Sequence, residues 1–286
     1  MTYHQHLSEI RSFLSNDSSS VPTERKRVIK DDGFLVTSYE DLATRVAELA
    51  FYNPQQVLLF RGHSPEKSED KSCLSVLKPS LFQPVKERLP KKRLIQRMLT
   101  LKEAEIKLFD LYKESGLPNY QELARSKLKR WALLEHFGVC RTPLIEMTLS
   151  LRVAASIASQ KNSAISFIYV LGIPSLAGAV TVDPSGQLHV IRLASVCPLS
   201  VESHHAIDSY MLGEYTNISE FETDQFAFDF DSNFTDRLLA KFRFHPKEFW
   251  DMSAPENCKV LLDTTHTESI FEIAQCVKNS LSTTDT

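Results

Sequence analysis

Two hydrophobic patterns alternate irregularly along this chain. One is the three-to-four spacing of helices, the other the short unbroken apolar run of a buried strand. The first 15 or so residues read as a short helix and residues 16–22 (NDSSSVP) as a polar linker, which sets residues 1–36 apart from a domain over 37–286. Ser38, with Asp41 three residues on, is a box-like cap for a helix whose Leu42, Val46 and Leu49 share one face. Pro54 ends that helix, and Val57–Phe60 (VLLF) reads as a buried strand running into Arg61-Gly62.

Residues 67–90 are irregular. Helical spacing resumes over 91–112, where Leu94, Met98, Leu101, Glu105 and Leu108 lie near one stripe, and Gly116-Leu117-Pro118 breaks it. A second helix is predicted over 121–137, with Leu123, Leu128, Trp131 and Leu134 inward and Gly138 just past its end. Together these form a helical insertion over about 85–137. Ser150 can cap a helix over 151–159 whose Ala154, Ala155 and Ala158 suit a close approach to a sheet. Residues 165–171 (ISFIYVL) are apolar on both faces and predict a central strand, and 179–193 a hairpin about Asp183-Pro184-Ser185-Gly186. Near the end come a helix over 234–244, a strand over 259–262 and an amphipathic helix over 268–281. Helices and hairpins without regular βαβ alternation predict an α+β fold around a mixed or antiparallel sheet.

Composition narrows this further. No apolar run reaches the roughly 18–20 residues of a membrane span, and the N-terminus lacks the apolar core of a signal peptide, so a cytoplasmic protein without membrane association is expected. The five cysteines are scattered with no C-x-x-C pair, which predicts free thiols rather than disulfides or a zinc site. Lys86, Arg88, Lys91, Lys92, Arg93 and Arg97 form one basic run and Arg125, Lys127, Lys129 and Arg130 another, while residues 220–236 are acidic. Such asymmetry can steer a polyanion to one face; it can equally be a solvated surface. With eight glycines and neither G-x-G-x-x-G nor a P-loop, a nucleotide would have to be held by side chains.

Phe60-Arg61-Gly62 resembles the triplet that gives the FRG domain its name, and Leu77-Lys78-Pro79-Ser80-Leu81 is similar to that family's L-x-P-S-L. The longest likeness runs from Trp131 to Ala158, resembling a block in which Q-H-Y-G leads to T-P-L-L-D-x-T and S-L-R-V-A-x-x-F-A. Residues 169–174, 191–193 and 237–242 continue it, so that it covers about 55–250. The resemblance implies a distant variant of the ADP-ribosyltransferase fold that uses NAD to modify a nucleic acid or a protein, as a toxin or phage-defence effector would.

On that resemblance Arg61 grips NAD, and its planar fork suits phosphate or ribose oxygens. Breaking the nicotinamide–ribose bond passes through an oxocarbenium-like state, which needs oriented hydroxyls and a carboxylate near the anomeric carbon. If residues 142–148 are a strand, alternation puts Thr142, Leu144, Glu146 and Thr148 on one face, a wall with one acid and two hydroxyls; the same pattern fits a half-exposed strand. His136 can donate to a ligand or to Glu146. Asp208 is the candidate catalytic carboxylate, with Glu214 as a local substitute. The chain departs from the family pattern at three places: Glu135 replaces a Gln, Glu146 an Asp, and Ile207-Asp208-Ser209-Tyr210 stands where Q-E-G-Y is usual.

His204-His205 with Asp208 has metal-ligand spacing but no accompanying H-E-x-x-H, so no metal is assigned; Cys140 beside Arg141 could be a thiol of lowered pKa, or a passive one. Three readings follow: an NAD-consuming transferase, a catalytically degenerate FRG domain that binds a ligand or partner, and a helix-rich interaction protein docking an acidic partner through residues 86–130.

Overall fold

The computed structural model describes residues 10–65, 73–84, 89–118, 120–161, 163–173, 178–183, 188–196, 208–214, 234–250 and 269–281. In chain order its first elements are β1 (Ile10–Ser12), β2 (Val21–Thr23), α1 (Arg25–Lys30), β3 (Phe34–Leu35), α2 (Tyr39–Tyr52), β4 (Val57–His63) and α3 (Cys73–Val76). Then come α4 (Lys91–Glu114), α5 (Tyr120–Arg125), α6 (Lys127–His136), β5 (Leu144–Thr148), α7 (Leu151–Ser159), β6 (Ser166–Ile173), β7 (Val180–Asp183) and β8 (Leu188–Arg192). The last are β9 (Ser209–Glu214), β10 (Leu238–Phe244), α8 (Pro246–Phe249) and α9 (Ser269–Ser280). The class is α+β, as expected. The chain divides into two compact units, the first of residues 1–77, 148–176 and 233–259, the second of 78–147, 177–232 and 260–286.

In the first unit the strands lie in the order β3-β10-β6-β4. Every residue of β6 is buried, as its two apolar faces require, and it pairs antiparallel with both β10 and β4, while β3 joins β10 in parallel. α2 starts where expected: the Ser38 hydroxyl accepts from Asp41 N–H (3.2 Å), and Leu42, Val46 and Leu49 are buried. Likewise Ser150 accepts from Val153 N–H to cap α7.

Two expectations fail here. Residues 234–244 are a 3₁₀ turn (Phe234–Arg237) followed by strand β10, not a helix. An apolar run of this length fits either element, and pairing with β6 decides it. Residues 10–23 are not a helix and linker but carry the ribbon β1–β2, with Ile10 opposite Thr23. Ser12 donates to the Leu239 carbonyl (2.5 Å), and Phe13 packs on Phe34 and Phe242, which seats this segment in the first unit.

In the second unit the strand order is β5-β9-β8-β7, with β9–β8 and β8–β7 antiparallel. The expected hairpin is β7–β8; its turn lies outside the described residues, as do His204, His205 and the strand expected at 259–262. The core is formed by Leu101, Ala104, Leu108 and Tyr112 of α4, Trp131–Leu134 of α6, Ile191, Met211, and Ile270, Ala274 and Val277 of α9. The single helix expected over 121–137 is two, because Ser126 breaks the turn and caps α6 by accepting from Lys129 N–H (3.3 Å). Among the described residues no helix is long and apolar enough to cross a membrane.

Candidate functional site

The residues of interest fall in both units. In the first, Arg61 is a half-buried residue of β4, in register with Tyr169 of β6. Its neighbour Gly62 lies against α7, where a Cβ would meet the Ala154 carbonyl oxygen at 1.9 Å. Thr148 is buried, and its hydroxyl accepts from Ser150 N–H (3.0 Å), which steers the chain from β5 into α7.

The second unit holds the remaining candidates. α6 ends in a Schellman motif: Val139 N–H donates to Leu134 O (2.9 Å) and Gly138 N–H to Glu135 O (3.0 Å), with Gly138 at φ +57°. This fixes two consecutive side chains, Glu135 and His136, in different directions.

His136 Nδ1–H donates to Glu146 Oε1 (2.9 Å), and the imidazole is nearly enclosed while a third of the carboxylate side chain is exposed. The half-exposed strand that the pattern also fitted does not appear: Leu144, Ile145, Met147 and Thr148 of β5 are all buried and Glu146 alone is not. A carboxylate in a strand covered on both faces needs a hydrogen-bond partner, and His136 supplies one. The result is a carboxylate of fixed orientation with one open side.

Glu135 faces Ser80 and Thr142. Thr142 Oγ1 donates to Glu135 Oε2 (2.6 Å) and accepts from Leu144 N–H (3.2 Å). Ser80 Oγ accepts from Thr142 N–H (3.0 Å) and donates toward Glu135 Oε2 (3.3 Å); Leu81 N–H reaches Thr142 O (3.0 Å). Three of the motifs carrying the FRG resemblance, Leu77–Leu81, the α6 end and Thr142–Thr148, are thus knotted together by hydrogen bonds. Thr142 is fully buried, so its hydroxyl is spent inside this knot. Nothing in the sequence singled out Ser80 or Glu135 for this part; the only signal was their place in adjacent motifs.

Asp208 precedes β9 at φ +46°, a conformation Asp tolerates better than most residues. Its Oδ1 is 3.5 Å from Arg192 Nη2. Tyr210, opposite Arg192 in the β8–β9 register, has its phenol pKa raised, chiefly by burial and then by the Asp208 charge and hydrogen bond. Asp208 therefore sits in a cross-strand cluster of its own, while Glu146 sits with His136. The side chain of Glu214 lies outside what is described.

Cys140 is not an activated thiol: burial first, and Glu135 second, push it up to about 12. The basic runs are also partly spoken for. Arg97 is buried and donates to Leu81 O and Gln83 O, Lys129 pairs with Glu122, and Arg130 pairs with buried Glu105, which also accepts from Trp131 Nε1 (3.1 Å).

No family model, no curated protein and no solved structure matches this chain. The FRG resemblance rests on the motifs themselves.

Proposed function

We propose that this chain is an FRG-type, ADP-ribosyltransferase-like enzyme acting in the cytoplasm, with Glu146 as its carboxylate on the NAD ribose. The observation that carries the reading is the His136–Glu146 pair: a part-exposed carboxylate in an otherwise buried strand, its orientation fixed by a nearly enclosed imidazole. A pre-oriented anion stabilises positive charge at the anomeric carbon without having to reorganise. The C1′–N bond breaks and its electron pair leaves with nicotinamide; an acceptor O–H or N–H of a nucleic acid or protein attacks C1′ and gives its proton to the carboxylate or to water. The resemblance gives Arg61 the grip on NAD. Asp208, already engaged by Arg192 and Tyr210, takes the supporting part.

A second reading has its own observation. Thr142, Thr148 and Asp208, three of the residues the resemblance assigns to the nucleotide site, bond within the protein. That favours a degenerate domain which binds a ligand or partner without turnover.

Incubation with NAD, with and without cell extract, RNA or DNA, separates the two by measured nicotinamide release and, in parallel, by calorimetric NAD binding. Release that is lost in Glu146→Gln and in Arg61→Ala supports the enzyme. Binding without release supports the module, and neither binding nor release ends both readings.

A further inference from the structure

Behind the Ser80–Thr142–Glu135 knot the second unit holds a cavity of about 310 Å³ lined by Ser80, Glu135, Gly138, Val139, Cys140, Arg141 and Lys278. That volume lies at the lower end of the range for small-molecule sites, roughly 300–1,000 Å³. It is separate from the His136–Glu146 pair, whose residues are not among its walls.

The charges on its walls do not balance. Among the described residues Glu135 is the only acid on these walls, and its Oε2 already accepts from Thr142 and Ser80. Arg141 spends one N–H on the Ser80 carbonyl (Nη1 to O, 3.2 Å); its Nε is buried without an acceptor, and it forms no ion pair among the described residues. Lys278, half-buried on the last turn of α9, likewise makes no ion pair among them. Among the described residues, two cations thus share one cavity with a single acid, and neither cation is ion-paired to it. They repel each other when it holds only water, and a buried guanidinium donor without an acceptor is costly.

The rest of the described lining adds no negative charge. The Cys140 thiol stays protonated far above neutral pH. At Gly138 the wall is bare backbone, since a Cβ there would meet nothing within 4 Å. The cavity therefore has room beside the cations.

We infer that this cavity is a binding site for a small metabolite with one oxyanion head group, a phosphate or a carboxylate, held between Arg141 and Lys278. One anion satisfies the pair of cations, since Glu135 cancels the second positive charge. Arg141 supplies charge-assisted donors and Lys278 a point charge on the same walls. The volume left over takes a small neutral body against Gly138 and Cys140.

The test uses the full chain, ¹⁵N-labelled, titrated separately with sodium phosphate and with sodium propionate at ionic strength held constant with sodium chloride. Saturable shifts of the Gly138, Cys140 and Arg141 amides with either anion are expected, and which anion saturates first identifies the head group. Lys278→Gln, a change at a half-exposed helix position, should weaken that binding about tenfold, the loss of one charge-assisted contact. Arg141→Lys should do the same while keeping the charge, because it removes the fork. Shifts that track ionic strength without saturating, or that saturate equally in Lys278→Gln, would overturn the proposal.

Discussion

Gly62 and the backbone oxygen of Ala154 are in such close register that a single methyl group would not fit: a Cβ on Gly62 would stand 1.9 Å from that oxygen and 3.0 Å from Ala158 N. The last letter of the F-R-G triplet is a packing requirement. It lets the alanine face of α7 lie directly on β4, which fixes the strand that carries Arg61.

Gly62→Ala should accordingly destabilise the protein by about 1–3 kcal/mol or more, the usual cost of overpacking, because the obstacle is backbone and cannot swing away. Urea unfolding followed by circular dichroism measures it. An unchanged midpoint would show that α7 does not sit where described.

Glu105 is a buried acid that accepts from Arg130 and from Trp131 Nε1. Removing it as Glu105→Leu should cost about 3 kcal/mol, since Arg130 is left as a largely enclosed charge without its carboxylate. Glu105→Leu with Arg130→Leu should cost less than the sum of the two singles. A double-mutant cycle on unfolding free energies reads that coupling directly.

Thr142→Val removes the hydroxyl from a fully buried site and leaves Glu135 Oε2 one donor short, a loss of about 1–3 kcal/mol. Thr142→Ser should recover most of it. If Thr142 acts only through the knot, calorimetric NAD affinity stays level across Thr142→Ser while stability moves with the hydroxyl.

The two described cysteine thiols should separate cleanly on alkylation. Cys276 is exposed and reacts at pH 8, whereas Cys140, raised from its ordinary 9.0 to about 12, remains protonated and unlabelled in the native protein. The folded state holds this proton more tightly than the unfolded one, so its contribution to stability is present below pH 9 and fades as pH rises toward 12. Peptide mass spectrometry after timed iodoacetamide treatment checks the order.

Arg97, Lys129 and Arg130 are committed within the protein, so a polyanion would meet fewer cations than the sequence offers. Any retention of RNA at about 50 mM salt should fall with a log–log slope of about −0.7 per phosphate contact, and Lys91→Ala, Lys92→Ala and Arg93→Ala together should flatten it. No retention at all would make the run a solvated face.

Capping and turn chemistry were readable in the sequence because they act over three or four residues. Ser38 and Ser150 cap α2 and α7 through their own hydroxyls, Gly138 takes its left-handed turn after α6, and the all-apolar run at β6 is buried along its whole length. The α+β class follows from the order of such elements. Ser126 is an instance of the same chemistry that was passed over, because the apolar spacing continues across it into α6.

What lay beyond the sequence depends on partners far along the chain. Residues 238–244 are a strand only because β6 offers its edge, and residues 10–12 and 21–23 only because they find each other. The candidate site obeys the same rule. Glu135 and His136 are neighbours in sequence, yet one turns to Ser80, 55 residues away, and Thr142, and the other to Glu146. The residue types and their motifs were set by the sequence; their pairing was decided by the end of α6, where the helix fixes which way each side chain points and burial leaves each carboxylate one place to find its donors.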